Sequence, residues 1–288
     1  MLQQNKRLMQ SANYVSKFES MFACPICHLP MKVRESKSII CSKHHTFDFT
    51  KQGYLNFMTR PVNTKYNKEL FEARRKLIVE GGFFEPLSRK IAEIINDAQL
   101  GHTLSILDTG CGEGSHLSSI CRSVNKDVVG VGIDISKEGI QSAAKSYNDK
   151  IWAVADLAKT PFKEASFDVI LNMLSPSNYT EFHRLLKING IVIKIVPQSG
   201  YLKELREQIF ENRSYSNEDT TKRFHENFQS VERMRLTYNK TLDKSALEWL
   251  VQMTPMTWSK KEKITPFLKK EYAQITVDLD ILIGLNNC

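Results

Sequence analysis

The chain has 288 residues, 41% of them hydrophobic and 25% charged, with a formal net charge of +8 and six cysteines. That length suits one large domain with a smaller companion, and the composition is that of a globular enzyme. Three clustered cysteines speak against a disulfide framework, residues 1–20 lack the apolar run of a signal peptide, and no stretch approaches the roughly 18 apolar residues of a membrane span; a cytoplasmic protein is expected.

Charge is unevenly placed. Residues 1–90 hold sixteen Lys/Arg against seven Asp/Glu, and residues 91–288 hold twenty-four against twenty-five. The basic excess of the first third suits a polyanionic partner, although a solvated basic surface has the same composition. Residues 1–20 form an N-terminal extension with no assignable role. In residues 21–60, Cys24 and Cys27 form one C-x2-C knuckle; after thirteen intervening residues Cys41 and His45 form a C-x3-H knuckle. Four such ligands suit tetrahedral Zn(II), and a site filled by protein is structural, not catalytic. His44 and His28 are less favoured ligands, and buried free cysteines are the plain alternative. Short strands are expected at "SIICSK", "HTFDFT" and "GYLNFM".

From Asn67 the pattern turns helical. Leu70, Phe71, Leu77 and Ile78 share a face, Gly81-Gly82 stop the helix, and Pro86 opens another; residues 61–100 read as a helical linker. From Leu104 apolar strands alternate with helices: "LSILDTG", "VVGVGIDI", "IWAVAD", "FDVILNML" and "IVIKIVP". This indicates an α/β protein with a doubly wound parallel sheet over 101–288. Two late strands, "RMRLTYNKT" and "QITVDLDILIGL", would add an antiparallel edge.

The turn after the first of these strands reads Asp108-Thr109-Gly110-Cys111-Gly112-Glu113-Gly114. Its glycines alternate as G-x-G-x-G, not as the G-x-G-x-x-G of dinucleotide sites. Asp134 ends the second strand, where a carboxylate accepts from ribose hydroxyls; Asp156 ends the third, where it faces an adenine amine. Helix capping and turn formation are the ordinary uses of such aspartates. Cys111 and Cys121 read as core residues and Cys288 as an inert terminal thiol.

The set resembles the first motif of the class I S-adenosylmethionine-dependent methyltransferases. That implies a Rossmann-like, seven-stranded doubly wound sheet whose late strand pair supplies the reversed edge. The order of zinc knuckle, "HTFDFTKQGYLNFM", "ARRKLIVEGGFFEPL", "DTGCGEG" and "LVQMTPMTW" resembles the bacterial 23S rRNA guanine-N1-methyltransferases, the RlmA group, from about residue 20 onward. "NMLSPSNYTEFHRLL" is closer to its Gram-positive, tylosin-resistance subgroup. The resemblance implies zinc on Cys24, Cys27, Cys41 and His45, with S-adenosylmethionine bound by Phe84, Asp108, Gly110, Gly112, Glu113, Gly114, Asp134, Asp156, Leu157 and Tyr201. Glu113 and Gly114 are expected to line the methionine part. Phe84 and Tyr201 stand where some relatives carry Tyr and His.

The substrate implied is a guanine in a domain II hairpin loop of 23S rRNA, near the peptide exit tunnel and the macrolide site. N1 lies on the Watson–Crick edge, so the base must be looped out. Asn172 and Ser175, with Pro176, are placed to meet the guanine, and Trp258 and Tyr179 to stack on a base. No residue stands out as proton acceptor. Lys32, Arg34, Lys37, Lys43, Lys51, Arg74, Arg75 and Lys76 are expected to neutralise phosphates. The resemblance also suggests a homodimer. The rivals are a small-molecule methyltransferase, which leaves the zinc module idle, and a non-catalytic RNA-binding scaffold.

Overall fold

The structure is a computed structural model that describes residues 2–62, 64–210 and 216–287. The Cys288 thiol falls outside them.

The N-terminal extension folds as helix α1 (Leu2–Ser16), which buries Ala12 and Val15. A 3₁₀ turn leads into strands β1 (Met31–Arg34), β2 (Ser38–Cys41) and β3 (Thr46–Asp48), an antiparallel sheet that buries Met31, Ile39 and Phe47 on one side. This alternation is what a half-buried antiparallel sheet requires. The third expected strand of the module behaves differently. Strand β4 (Leu55–Asn56) leaves the small sheet and pairs in parallel with Ala153 and Val154 of the main one.

Asn67 caps helix α2 (Lys68–Arg75) by accepting from the Leu70 amide at 2.9 Å. A π-helical turn over Lys76–Glu80 and Gly81 end it. Helix α3 (Glu85–Asp97) has its proline in the first turn, where no amide bond is lost. The alternating run follows: β5 (Thr103–Thr109), α4 (Ser115–Ser123), β6 (Asp127–Asp134), α5 (Lys137–Ser146), β7 (Ile151–Val154), β8 (Phe167–Met173), α6 (Tyr179–Leu185) and β9 (Leu186–Pro197). Then come α7 (Lys203–Ile209), α8 (Glu218–Asn227), β10 (Ser230–Asp243), α9 (Lys244–Met253), α10 (Lys261–Leu268) and β11 (Tyr272–Leu285).

The main sheet has the order β10-β11-β9-β8-β5-β6-β7-β4. Seven strands are those expected, and the two-residue β4 adds an eighth at the far edge. The late pair differs from expectation in one respect. The reversed strand is not at the edge: β11 runs antiparallel to both β9 and β10 and lies between them. Composition explains the placement, since β11 is buried almost throughout while β10 alternates exposed and half-buried residues as an edge does. Arg233 and Arg235 of β10 hold Asp280 and Asp278 of β11 at 2.7 and 2.8 Å.

Apolar layers cover both faces. One holds Leu77, Phe84, Ile91, Ile95 and Leu117 against Leu104, Ile106 and Val169. The other holds Phe162, Phe182 and Phe224 with Phe22, Met31, Ile39 and Phe57 of the N-terminal module. The crossover from β7 to β8, residues 155–166, has no helix. The N-terminal module covers the sheet there: Phe22 bridges Phe162 with ring centroids 5.3 Å apart, and the Ala23 amide donates to the Pro161 carbonyl at 3.0 Å.

Chain order leaves β5 toward β6 on one side and reaches β8 on the other, so a crevice opens beyond the carboxyl ends of β5 and β8. Ligands of open α/β sheets bind at such a switch point.

Candidate active site and zinc centre

A cavity of about 1020 Å³ lies in that crevice. Its cofactor-loop side is built by tight glycine geometry. Gly110, Gly112 and Gly114 take φ of +77°, +57° and +81°, a region closed to most side chains. The Gly112 amide donates to Asp134 Oδ2 at 2.8 Å, and the Ser136 amide donates to Asp134 Oδ1 at 2.7 Å. Asp134 therefore ties the loop to β6 and keeps lone pairs for a ribose. Asp134, Asp156 and Leu157 line the cavity with Ile133, Ile135 and Ala155, the surface a nucleoside requires. Phe84 and Tyr201 line it too, as expected from sequence.

Three predicted cofactor residues sit behind the wall, not in it. Asp108 is buried with no hydrogen-bond partner on either oxygen, and burial pushes its pKa up to about 7. Gly114 packs on the Trp152 ring. Glu113 is fully buried and is not among the residues lining the cavity: Oε2 accepts from the Ser115 amide and hydroxyl, and Oε1 faces Arg74 Nε at 3.2 Å. Burial raises the Glu113 pKa, and Arg74 opposes the rise.

Arg74 thus has a different role from the expected phosphate grip. It reaches from α2 onto the cofactor loop and lines the cavity, with Leu70 and Phe71 beside it. The other two linker cations are also engaged. Arg75 pairs with Glu80 at 3.0 Å; Lys76 pairs with Glu72 at 3.7 Å and lies over the Trp249 ring. The basic set shrinks to Lys32, Arg34, Lys37, Lys43 and Lys51, all exposed on the zinc module, with Lys37 near Glu35.

The wall adjoining the cofactor loop comes from "NMLSP" after β8, where the Ser175 hydroxyl donates to the Thr109 carbonyl at 2.8 Å. Ser175 and Pro176 line the cavity, as expected. Asn172 does not: it is 0% exposed, and its amide is spent inside. Nδ2 donates to Thr109 Oγ1, Ser175 Oγ and the Pro176 carbonyl, while Oδ1 accepts from Ser177 Oγ and Lys194 Nζ. Asn172 shapes the loop instead of touching a base. Tyr179 is half-buried, packed on Phe182, Phe224 and Phe228 outside the cavity lining, away from the expected base. Trp258 lines a side cleft at the cavity mouth with Lys65 and Tyr66, whose ring lies edge-on at 6.1 Å. Sequence reading missed Tyr66, which is 43% exposed, and Lys194, a buried cation in the apolar half of β9.

In the N-terminal module, Cys24, Cys27, Cys41 and His45 bring their ligand atoms within 4.8 Å of one another. His45 Nδ1 lies 3.4 Å from Cys24 Sγ and 3.5 Å from Cys41 Sγ. His28 and His44 are exposed and outside the cluster. Three sulfurs and one imidazole around a common centre fit tetrahedral Zn(II) with no position left for a reactant. The zinc is structural.

Residues 22–68 match the family described as RlmA, N-terminal, a zinc ribbon, and residues 100–270 match a methyltransferase domain. The chain is 50% identical over 274 residues to YxjB of Bacillus subtilis, which carries the name of a 23S rRNA (guanine-N1)-methyltransferase; the match covers 92% of this chain and 97% of that one. It is 28% identical to the 23S rRNA (guanine(748)-N(1))-methyltransferase of Streptomyces fradiae, over 82% of this chain and 85% of the relative. Among solved structures, a Haemonchus contortus phosphoethanolamine N-methyltransferase bound to S-adenosylhomocysteine shares the fold, with a TM-score of 0.50 at 14% identity over 78% of this chain and 59% of that one. The protein therefore uses S-adenosylmethionine, its ribbon takes zinc, and the chain belongs to the family of 23S rRNA (guanine-N1)-methyltransferases.

Proposed function

We propose that the protein methylates N1 of one guanine in a domain II hairpin loop of 23S rRNA, in the cytoplasm, and thereby alters susceptibility to macrolides such as tylosin. The observation that carries this reading is one cavity joining two walls. Asp134, Asp156 and the glycine loop form a nucleoside wall; Ser175, Pro176 and Lys194 form the wall that adjoins it. The position is supported by the S. fradiae relative, whose name specifies guanine 748. A second copy of the chain, adding a second basic ribbon, would complete the cleft for the hairpin.

S-adenosylmethionine supplies an electrophilic methyl on a sulfonium. The chain's own residues do the rest: they exclude water with Phe84, Leu70 and Phe71, and hold the looped-out base against Ser175 and Pro176. Positioning of this kind accounts for much of the acceleration in a direct transfer. Tyr66 and Trp258 at the mouth stack on a neighbouring base, and Lys32, Arg34 and Lys43 take phosphates. No helix among the described residues is long and apolar enough to cross a membrane.

The test is transfer of labelled methyl to a domain II hairpin transcript, mapped by mass spectrometry and by the reverse-transcription stop that a methylated Watson–Crick edge causes. One 1-methylguanosine in the loop is expected. Label in another base, or none with S-adenosylhomocysteine still bound, overturns the reading.

A further inference from the structure

Guanine N1 carries a proton that must leave when the methyl arrives. Strand β9 is apolar where it meets the cavity: Val192, Ile193, Ile195 and Val196 are all buried. Lys194 interrupts this run at 3% exposure and lines the cavity. A lysine at such a place ordinarily meets a carboxylate, because an unpaired buried ammonium is costly. Among the described residues no carboxylate lies within ion-pair distance of Lys194. Its Nζ instead lies 2.6 Å from Asn172 Oδ1 and 3.3 Å from the Ser175 carbonyl. Both acceptors are fixed: Thr109, Ser177 and the Pro176 carbonyl lock the Asn172 amide, and the Ser175 hydroxyl donates to the Thr109 carbonyl at 2.8 Å.

A neutral amine has two hydrogens and one lone pair. The two acceptors on the loop take the hydrogens, which leaves the lone pair for the cavity. Lys194 also sits on the correct side. The cofactor residues crown β5, β6 and β7, so the incoming base occupies the space over β8 and β9, where Lys194 adjoins "NMLSP".

We propose that Lys194 is the proton acceptor of the methyl transfer, its Nζ facing N1–H of the target guanine. This rests on the guanine-N1 reading above. The N1–carbon bond forms as the carbon–sulfur bond breaks and its electron pair returns to sulfur. The N1 proton passes to Nζ, so the positive charge that arrived on sulfonium leaves as an ammonium, and solvent takes the proton after product departs. Desolvation lowers the Lys194 pKa to about 8, so the free amine is available near neutral pH. The charged and titratable groups sharing the cavity are Tyr66, Arg74, His116, Asp134, Asp156, Tyr201 and Arg206. Asp108 lies beneath the loop, and Asp280 on neighbouring β11 is bound to Arg233. None is a hydrogen-bond partner of Lys194, and a bound sulfonium cation further favours its neutral form.

The test is single-turnover methylation of the hairpin transcript at saturating cofactor across the pH range. Wild-type rates should rise with a slope of one and level off, with a midpoint at or below about 8, since the sulfonium adds to the desolvation. Lys194→Met should lose about 100-fold or more and keep rising to higher pH, with affinities for S-adenosylhomocysteine and RNA unchanged. Small alkylamines should partly restore Lys194→Ala, which a merely structural lysine would not allow. Independently of activity and of the variant's folding, lysine NMR of the S-adenosylhomocysteine-bound wild type should show one side chain titrating near 8. Lys194→Met or Lys194→Arg within about threefold of wild type overturns the proposal, as does the absence of any lysine titrating well below the ordinary range. Failure of the wild type to make 1-methylguanosine at any pH instead overturns the guanine-N1 reading.

Discussion

Arg74→Met removes the guanidinium from Glu113 and keeps most of the aliphatic stem. Glu113 is fully buried, with Oε2 held by Ser115 and Oε1 facing only Arg74. Burial raises its pKa and Arg74 opposes that, so the variant's folded pKa lies higher still. A group raised in the folded state contributes stability below its unfolded value, and that contribution is lost as pH climbs to the folded value. The unfolded value is 4.5. At pH 7 the loss for a carboxyl fully protonated when folded is therefore at most about 1.4 kcal/mol for each unit between 4.5 and 7, or about 3.4 kcal/mol. Wild type already bears part of this, so roughly 1–3 kcal/mol should separate the two proteins at neutral pH. Asp108 also loses the field of Arg74, with the same sign. Thermal unfolding should show a smaller difference at about pH 5 than at about pH 8, where the variant should melt roughly 3–8 °C lower. An equal loss at both values, or a larger one in acid, would refute a buried Glu113 dependent on Arg74.

Zinc content offers a second check: His44→Ala should retain one zinc per chain by native mass spectrometry, whereas His45→Ala should bind it at least about tenfold more weakly. Equal loss from both would unseat His45. Gly114→Ala combines φ +81° with a Cβ 2.4 Å from Trp152 Cη2, so stability should fall by about 2–5 kcal/mol, part of it restored by Trp152→Leu. A neutral Gly114→Ala midpoint would contradict that contact. Tyr66→Ala and Trp258→Ala should each cost about 1–3 kcal/mol of hairpin affinity, measured by titration, and leave S-adenosylhomocysteine affinity unchanged; unchanged RNA affinity would remove the stacking role.

The sheet and the zinc ligands were legible because their signals are local. Apolar strands punctuated by Gly110, Gly112 and Gly114 need no tertiary information, and neither do two knuckles at ligand spacing. The side-chain directions were not legible. Asn172 and Ser175 are three residues apart, yet one is sealed beneath the loop and the other faces the cavity, a choice made by Thr109 and Ser177 from distant or later segments. Arg74, Arg75 and Lys76 look alike in sequence and find three different partners once α2 lies on the cofactor loop. Lys194 did leave a trace: one charge inside "IVIKIVP" costs too much to be incidental.

Strand β4 has a bearing on how this architecture can be recombined. Leu55–Asn56 hydrogen-bonds along β7, and the Phe57 amide donates to the Val154 carbonyl at 2.9 Å, two residues from Asp156. With Phe22 seated on Phe162, the ribbon supplies the cover that a crossover helix gives elsewhere in the sheet. It is therefore not an interchangeable cassette. A chimaera that borrows another ribbon must also bring a matching sheet edge and residues 155–166, or its adenine-side wall will lose its backing. Stripping the metal should be felt at that wall as well, so zinc loss should weaken cofactor affinity.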